Sequence, residues 1–279
     1  MTGMSIAVHT SDDPAAVLDL AGAFLASDPV RHNLILTLLH ARVKHPEAGR
    51  YWIAIEDHDV IGVVFQSPLS YAATLTPMSH DAVRSVVNVI ADEGVELPGV
   101  NGEAATVAHF VGAYSEGTGF SARPTRGERL YELASVVGQS ASGALRRGSD
   151  EDLGFLVESF IAFVTEIGEP SGGSESVVAR RLAAGQLWVW DDDATVSMCG
   201  LSAQTEGVAR VGPVYTPPER RGRGYASALV AAVSAEVEAA GRRCILYTDL
   251  QNPTSNSIYR RIGFEAISEG LAYEFDPVE

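Results

Sequence analysis

Hydrophobic and polar positions along the chain switch between two periods, and the switches mark its elements. From Val17 to Leu25 apolar residues recur at helical spacing behind the opening run Ser11-Asp12-Asp13. Trp52-Ile53-Ala54-Ile55 is a short apolar run closed by Glu56-Asp57-His58-Asp59, which predicts a strand and an acidic turn. Val60 to Gln66 and Ala72 to Thr76 predict further strands. Asp81 to Asp92 and about Gly102 to Tyr114 predict helices, with a turn at Leu97-Pro98-Gly99 and a closing strand from Glu128 to Val137. Ser149-Asp150-Glu151 then opens a helix from Leu153 to Thr165, and a second helix runs from about Glu175 to Ala184. Leu187 to Trp190 reads as a strand ending in Asp191-Asp192-Asp193.

The pattern is sharpest between Ala209 and Phe264. Val211 to Tyr215 predicts a strand, and Thr216-Pro217-Pro218 ends it because proline cannot donate to a ladder. Leu229, Val230, Val233 and Val237 predict a helix that stops at Gly241. Cys244 to Leu250 is a second strand of the buried type. Asn252-Pro253 reads as an N-cap and first helical residue, and the short helix runs to about Arg261 with Gly263 as its stop.

The two halves repeat at low resolution. Ser11 recurs as Ser149, Trp52 as Trp188 and Thr76-Pro77 as Thr216-Pro217, a spacing of 136–140 residues. This predicts two similar α/β units, one over residues 1–140 and one over 145–279, each a mixed, mostly antiparallel sheet flanked by helices. Gly138 to Gly143, small and polar, is the predicted junction.

The copies differ where chemistry is expected. Arg221-Gly222-Arg223-Gly224-Tyr225-Ala226 joins a strand to a helix start. Two glycines let backbone approach a ligand, and free N–H groups at a helix N-terminus favour phosphate oxygens. The Walker ending and the third glycine of a dinucleotide fingerprint are both missing. After Thr76-Pro77 the first half has no glycine turn and carries Asp81 near the helix start, which would repel a pyrophosphate. The first half therefore reads as a structural or acceptor-shaping unit. Asn252, Asn256 and Tyr259 share one helix face, as a ligand wall or as a cap and core residues.

These residues resemble the GNAT superfamily of acetyl-CoA-dependent N-acyltransferases. Arg221 to Ala226 matches the family's Arg/Gln-x-x-Gly-x-Gly/Ala loop, with Ala226 where many members have glycine. Asn252, Tyr259 and Gly263-Phe264 match its Asn, its Tyr seven residues on, and the Gly-aromatic pair that follows. The resemblance covers residues 145–279 well and the first half poorly. It implies acetyl-CoA as co-substrate and a primary amine of a small molecule or peptide as acceptor. Backbone N–H groups of Arg221, Gly222, Arg223, Gly224, Tyr225 and Ala226 would hold the pyrophosphate. The pantetheine arm would run along Val214, Tyr215 and Thr216, where a backbone N–H would polarise the thioester carbonyl. Asn252 and Asn256 would bond the arm, and Tyr259 would protonate the departing thiolate. Glu166 and Glu169, with Glu175, flank the Gly168–Ser174 loop and are either acceptor-site carboxylates, including a general base, or a solvated acidic loop. The second half has no histidine, which leaves His32 or another first-half histidine as the remaining source of a base. Two other readings are an acyltransferase using a different acyl-CoA or an aminoacyl donor, and a non-catalytic acetyl-CoA-binding module.

Composition narrows the partners. A formal charge of −16 argues against a nucleic acid partner, which needs clustered positive charge. It suits approach of a cationic amine, or serves solubility alone. No apolar run reaches the ~20 residues that span a membrane, and no secretory signal pattern opens the chain. Cys199 and Cys244 sit in apolar runs with no metal-ligand spacing, which predicts reduced thiols, no metal and a cytoplasmic setting. Nineteen arginines against the single lysine Lys44 point to a GC-rich bacterial genome.

Overall fold

The computed structural model describes residues 6–168 and 171–277. In chain order its elements are β1 (Ala7–Ser11), α1 (Pro14–Ser27), α2 (Asn33–Lys44), β2 (Arg50–Glu56), β3 (Asp59–Gln66), β4 (Ala73–Leu75), α3 (His80–Asp92), β5 (Gly99–Glu103), α4 (Ala104–Thr118) and β6 (Ser121–Leu133). There follow β7 (Ala144–Arg147), α5 (Leu153–Glu166), α6 (Ser174–Ala183), β8 (Leu187–Asp191), β9 (Thr195–Leu201), β10 (Val208–Tyr215), α7 (Tyr225–Ala239), β11 (Arg243–Asp249), α8 (Pro253–Ile262) and β12 (Phe264–Asp276). Two compact units result. The first is the described part of Met1–Leu130, Asp249–Gln251 and Ser268–Glu279; the second is Tyr131–Thr248 with Asn252–Ile267.

The first unit orders its strands β1-β2-β3-β4-β5-β12, antiparallel except for β4 beside β5. Its apolar strand runs are buried on both faces, so alternation sorts them. Tyr51, Ile53, Val63 and Phe65 pack with α1 and α2, whereas Trp52, Ala54 and Val64 pack with α3 and α4. The distal half of β12 belongs to this unit, pairing Gly270 with Glu103 through Glu274 with Gly99. Asp13 caps α1 on the Ala15 N–H at 2.9 Å, and Ser79 caps α3 on the Ala82 N–H at 3.2 Å. The α3 start, the counterpart of the glycine-turn helix, is thus closed by its own side chain. His32 is buried, bonded through Nδ1 to the Leu25 carbonyl and stacked on Phe24; burial lowers its pKa. This geometry makes it a packing residue of its own unit.

The second unit runs β11-β10-β9-β8-β7, antiparallel except for β10 beside β11. One sheet face carries Trp188, Trp190, Cys199, Ala209 and Val211 under α7; the other carries Leu187, Val189 and Met198 under α5 and α6. Asp152 anchors the start of α5. Its carboxylate takes two bonds from Arg146, at 2.6 and 2.8 Å, and one each from Thr195 and the Ser149 N–H. Those donors, Arg146 first, hold its carboxyl well below the usual range.

Sequence periodicity located most helices and several strands. It missed α2, β1, β5, β7 and β12, and marked β9 only as the apolar run around Cys199. The helix expected from Gly102 begins at Ala104, because Gly99–Glu103 pairs with β12. The closing strand expected at Glu128–Val137 starts earlier and ends earlier, at Ser121–Leu133.

Candidate functional site

The site is built on a bulge in β10. Val211 pairs with Leu201 and Val214 with Cys199, so β10 carries one extra residue against β9. The extra residue inverts the alternation. Ala209, Val211 and Val214 share the α7 face, and Tyr215 turns to the α5–α6 face. An unbulged strand would have put Tyr215 on the face of Val211. The parallel ladder to β11 runs only from Val208↔Arg243 to Val211↔Leu246, although β10 continues to Tyr215 and β11 to Asp249. The strands part at the bulge, along the stretch where Val214, Tyr215 and Thr216 were expected to serve. Ser197 fixes the exit of β10, donating to the Tyr215 carbonyl at 3.0 Å and meeting the Thr216 hydroxyl at 2.8 Å.

Past a 3-10 turn at Pro218–Arg220 the chain makes the glycine turn. Gly222 has φ 78° and Gly224 φ 84°, both in the left-handed region that favours glycine. Gly224 is also the N-cap of α7, with no side chain to cap the helix. The first helical bond is Ala228 N–H to the Gly224 carbonyl at 2.9 Å. The N–H groups of Gly222 to Ala226 have no hydrogen-bond partner among the described residues. They sit at the positive end of a 15-residue helix. Arg220 and Arg223 have no ion-pair partner among the described residues; hydrogen bonds from Tyr225 and Ser142 lower the Asp192 pKa, and the field of these two arginines adds to that.

Arg221 has a different task. Its backbone N–H donates to Pro218, its Nε to the Thr216 carbonyl at 2.9 Å and its Nη2 to Glu166 Oε1 at 2.7 Å. The guanidinium lies 5.4 Å from the Tyr215 ring centre, and Tyr215 Oη donates to the same Glu166 oxygen at 3.2 Å. Glu166, the last residue of α5, is thereby brought to the end of β10 and the start of the loop. Its Oε2 has no partner among the described residues. Glu169 lies outside the described residues. Tyr225 reaches away from the turn: its ring is buried and its hydroxyl donates to Asp192, which also accepts from Ser142 at 2.8 Å. Only its backbone N–H faces the role expected of it. The acidic run at Asp191–Asp193 read as a plain turn, and nothing local signals that Asp192 tethers the loop.

On α8 the three expected residues divide. Asn252 is an N-cap, accepting from Ser255 N–H at 2.9 Å. Asn256 is buried; its Oδ1 accepts from Tyr131 at 3.0 Å and its Nδ2 donates to the Asn252 carbonyl at 2.8 Å. Both amides therefore shape α8 itself. Tyr259 is half-buried against Tyr131 and Phe264, and its hydroxyl has no hydrogen-bond partner among the described residues. Burial, with Cys199 nearby, pushes its pKa up. Among the described residues no cluster of metal-ligating side chains occurs, and no helix is long and apolar enough to cross a membrane.

The geometry has relatives among solved structures. A GNAT-family acetyltransferase from Colwellia psychrerythraea superposes with a TM-score of 0.64 at 13% identity, covering 97% of this chain and 100% of its own. A tandem GNAT protein from the clavulanic acid biosynthesis pathway superposes at 0.57 with 11% identity over 99% and 100%. The chain has a tandem GNAT fold. A GCN5-related N-acetyltransferase from Sphaerobacter thermophilus gives 0.60 at 16% identity over 98% and 97%. At these identities the likeness is one of GNAT fold. A family model described as FR47-like protein matches residues 190–272, which hold the bulge, the glycine turn, α7 and α8. A search of curated protein sequences found no match.

Proposed function

We propose that the second unit is an acetyl-CoA-dependent N-acetyltransferase acting on a primary amine of a small molecule or peptide. The observation that carries this is the row of partnerless N–H groups from Gly222 to Ala226, held by two left-handed glycines at the start of α7. That row fits a pyrophosphate, and the parting of β10 from β11 beside it fits an extended arm. The fold and the FR47-like match over the same residues support the reading.

Acetyl-CoA supplies a thioester that an amine can attack. The chain's part is orientation, polarisation and proton handling. Backbone N–H groups of β10 past the bulge would polarise the thioester carbonyl; one such donor is typically worth roughly 3–4 kcal/mol. Tyr259 keeps its proton at neutral pH because burial disfavours the phenolate, and its partnerless hydroxyl is free to donate toward the leaving sulfur. Glu166 Oε2 is the carboxylate oxygen available to hold an incoming ammonium and to take the proton its nitrogen must lose before attack, while Oε1 stays committed to Arg221 and Tyr215. Asn252 and Asn256 act by holding α8, and so Tyr259, in place.

Calorimetric titration with acetyl-CoA tests the reading. Binding of one equivalent per chain, followed by CoA release with amines, is the expected result. A folded protein that binds no acetyl-CoA refutes it; two equivalents would place a second site in the first unit.

A further inference from the structure

Arg181, near the end of α6, is a half-buried guanidinium with no acidic partner among the described residues. It lies on the α5–α6 face of the sheet, over Gly200 of β9. A Cβ at position 200 would fall 2.5 Å from Nη2 and 3.0 Å from Cζ, so a glycine there makes the space. Nη2 donates to the Gly212 carbonyl, in the bulge, at 2.8 Å. No other hydrogen bond of this side chain occurs among the described residues, although a guanidinium has five N–H donors.

Burial and neighbouring charge both weigh against the cation at this position. Burial depresses the Arg181 pKa to about 10, and Arg210 and Arg180 add repulsion. The only opposing influence is the thiol of Cys199, itself buried and with its own pKa raised. Among the described residues of this unit, Arg146 has Asp152 and Asp191, Arg221 has Glu166, and Arg243 has Glu132 as carboxylate partners. A cation partly withdrawn from water is stabilised when a counter-charge meets it.

We propose that Arg181 is the anion-binding group of the acceptor site, and that the acceptor is an amine carrying a carboxylate. Arg181 lies on the same sheet face as Tyr215, which carries Glu166, and it touches the bulge two residues before Val214. Two residues of strand span roughly 7 Å. That spacing suits a carboxylate a few bonds from the reacting nitrogen. A guanidinium fork matches a carboxylate in bidentate geometry. Glu166 Oε2 and Arg181 then offer opposite charges to the two ends of one zwitterion. The inference rests on the acetyltransferase reading and adds the substrate class to it.

The test is a panel of α-, β- and γ-amino acids and their carboxamides, read by CoA release and by thermal shift at saturating acetyl-CoA. At least one free acid is expected to be bound and acetylated, with kcat/KM at least ~tenfold above its amide. In Arg181→Met that preference vanishes through a rise in KM, while acetyl-CoA affinity stays within about twofold. Arg181→Lys, which keeps the charge, is expected to retain part of the preference and guards against misfolding of the methionine variant. Acids and amides used equally, no acid bound at all, or an unchanged preference in both variants would each overturn the proposal. A loss of kcat equal for all amines would show Arg181 to be only a brace of the bulge. Failure of the wild type to bind acetyl-CoA is a separate result and removes the acetyltransferase reading itself.

Discussion

Alanine at position 224 separates two things that the glycine turn does. Gly224 has φ 84°, so any side chain there adopts left-handed backbone at about 1–2 kcal/mol. Steric cost is absent: a Cβ would meet the Ser140 carbonyl oxygen at 3.5 Å and Ala141 Cβ at 3.7 Å, ordinary contact distances. The folded protein therefore loses only the backbone term, a melting shift of about 2–4 °C per kcal/mol. Ligand binding loses more, because the new methyl stands among N–H groups that must close on phosphate oxygens; a drop of at least ~tenfold in acetyl-CoA affinity is expected. Gly241 gives the control. It ends α7 at φ 68° with nothing within 4 Å of its Cβ, and its N–H and that of Arg242 close the helix on Glu238 and Val237. Gly241→Ala thus has the same backbone cost at the opposite end of the same helix. Calorimetry and thermal melts on both variants are the assay. Equal affinity losses in the two, or an unchanged affinity in Gly224→Ala, would refute a ligand at the turn.

Three further outcomes follow from the same geometry. Tyr259→Phe is expected to lower kcat by roughly 100-fold or more while acetyl-CoA affinity is kept, read by steady-state kinetics beside calorimetry; unchanged kcat would remove the phenol from the chemistry. Asn256→Leu strands the buried Tyr131 hydroxyl and should cost about 1–3 kcal/mol in urea denaturation, and adding Tyr131→Phe should recover part of it. The Asp152 carboxyl titrates lower folded than unfolded, so its stabilisation is present above about pH 4 and is lost as pH falls further. Acid denaturation of Asp152→Asn should show a shallower loss over that range than the wild type; identical slopes would mean the Arg146 pair contributes nothing.

Local chemistry explains what was legible in the chain. The Arg221–Ala226 turn, the Asn252-Pro253 start and the Gly263 stop are each set by a few adjacent residues whose φ preferences or capping groups are intrinsic. The N-capped helices α1 and α3 were legible for the same reason, α3 also by its clean apolar stripe. So were two similar units and a mostly antiparallel sheet. The helix α2, NLILTLLHARVK, was missed because a short apolar run fits a strand or a buried helix equally well. The strand β7 has only four residues, Ala144–Arg147, two of them arginine, so it offers no apolar alternation to read.

Tertiary structure decided which side chains work together. Whether Arg221 faces a ligand or a protein carboxylate depends on Glu166, 55 residues earlier, and the fold places that carboxylate on its guanidinium. The bulge depends on how β10 registers with β9, and it alone carries Tyr215 to the α5–α6 face. Asn256 became a partner of Tyr131, 125 residues away, where spacing alone left cap, core and ligand wall open. Arg181 looks like any helix-surface arginine until Gly200 and Gly212 are seen beneath it. Backbone preference acts between neighbours and is written in the sequence; pairing and burial act between residues far apart, and only the packed chain brings these together.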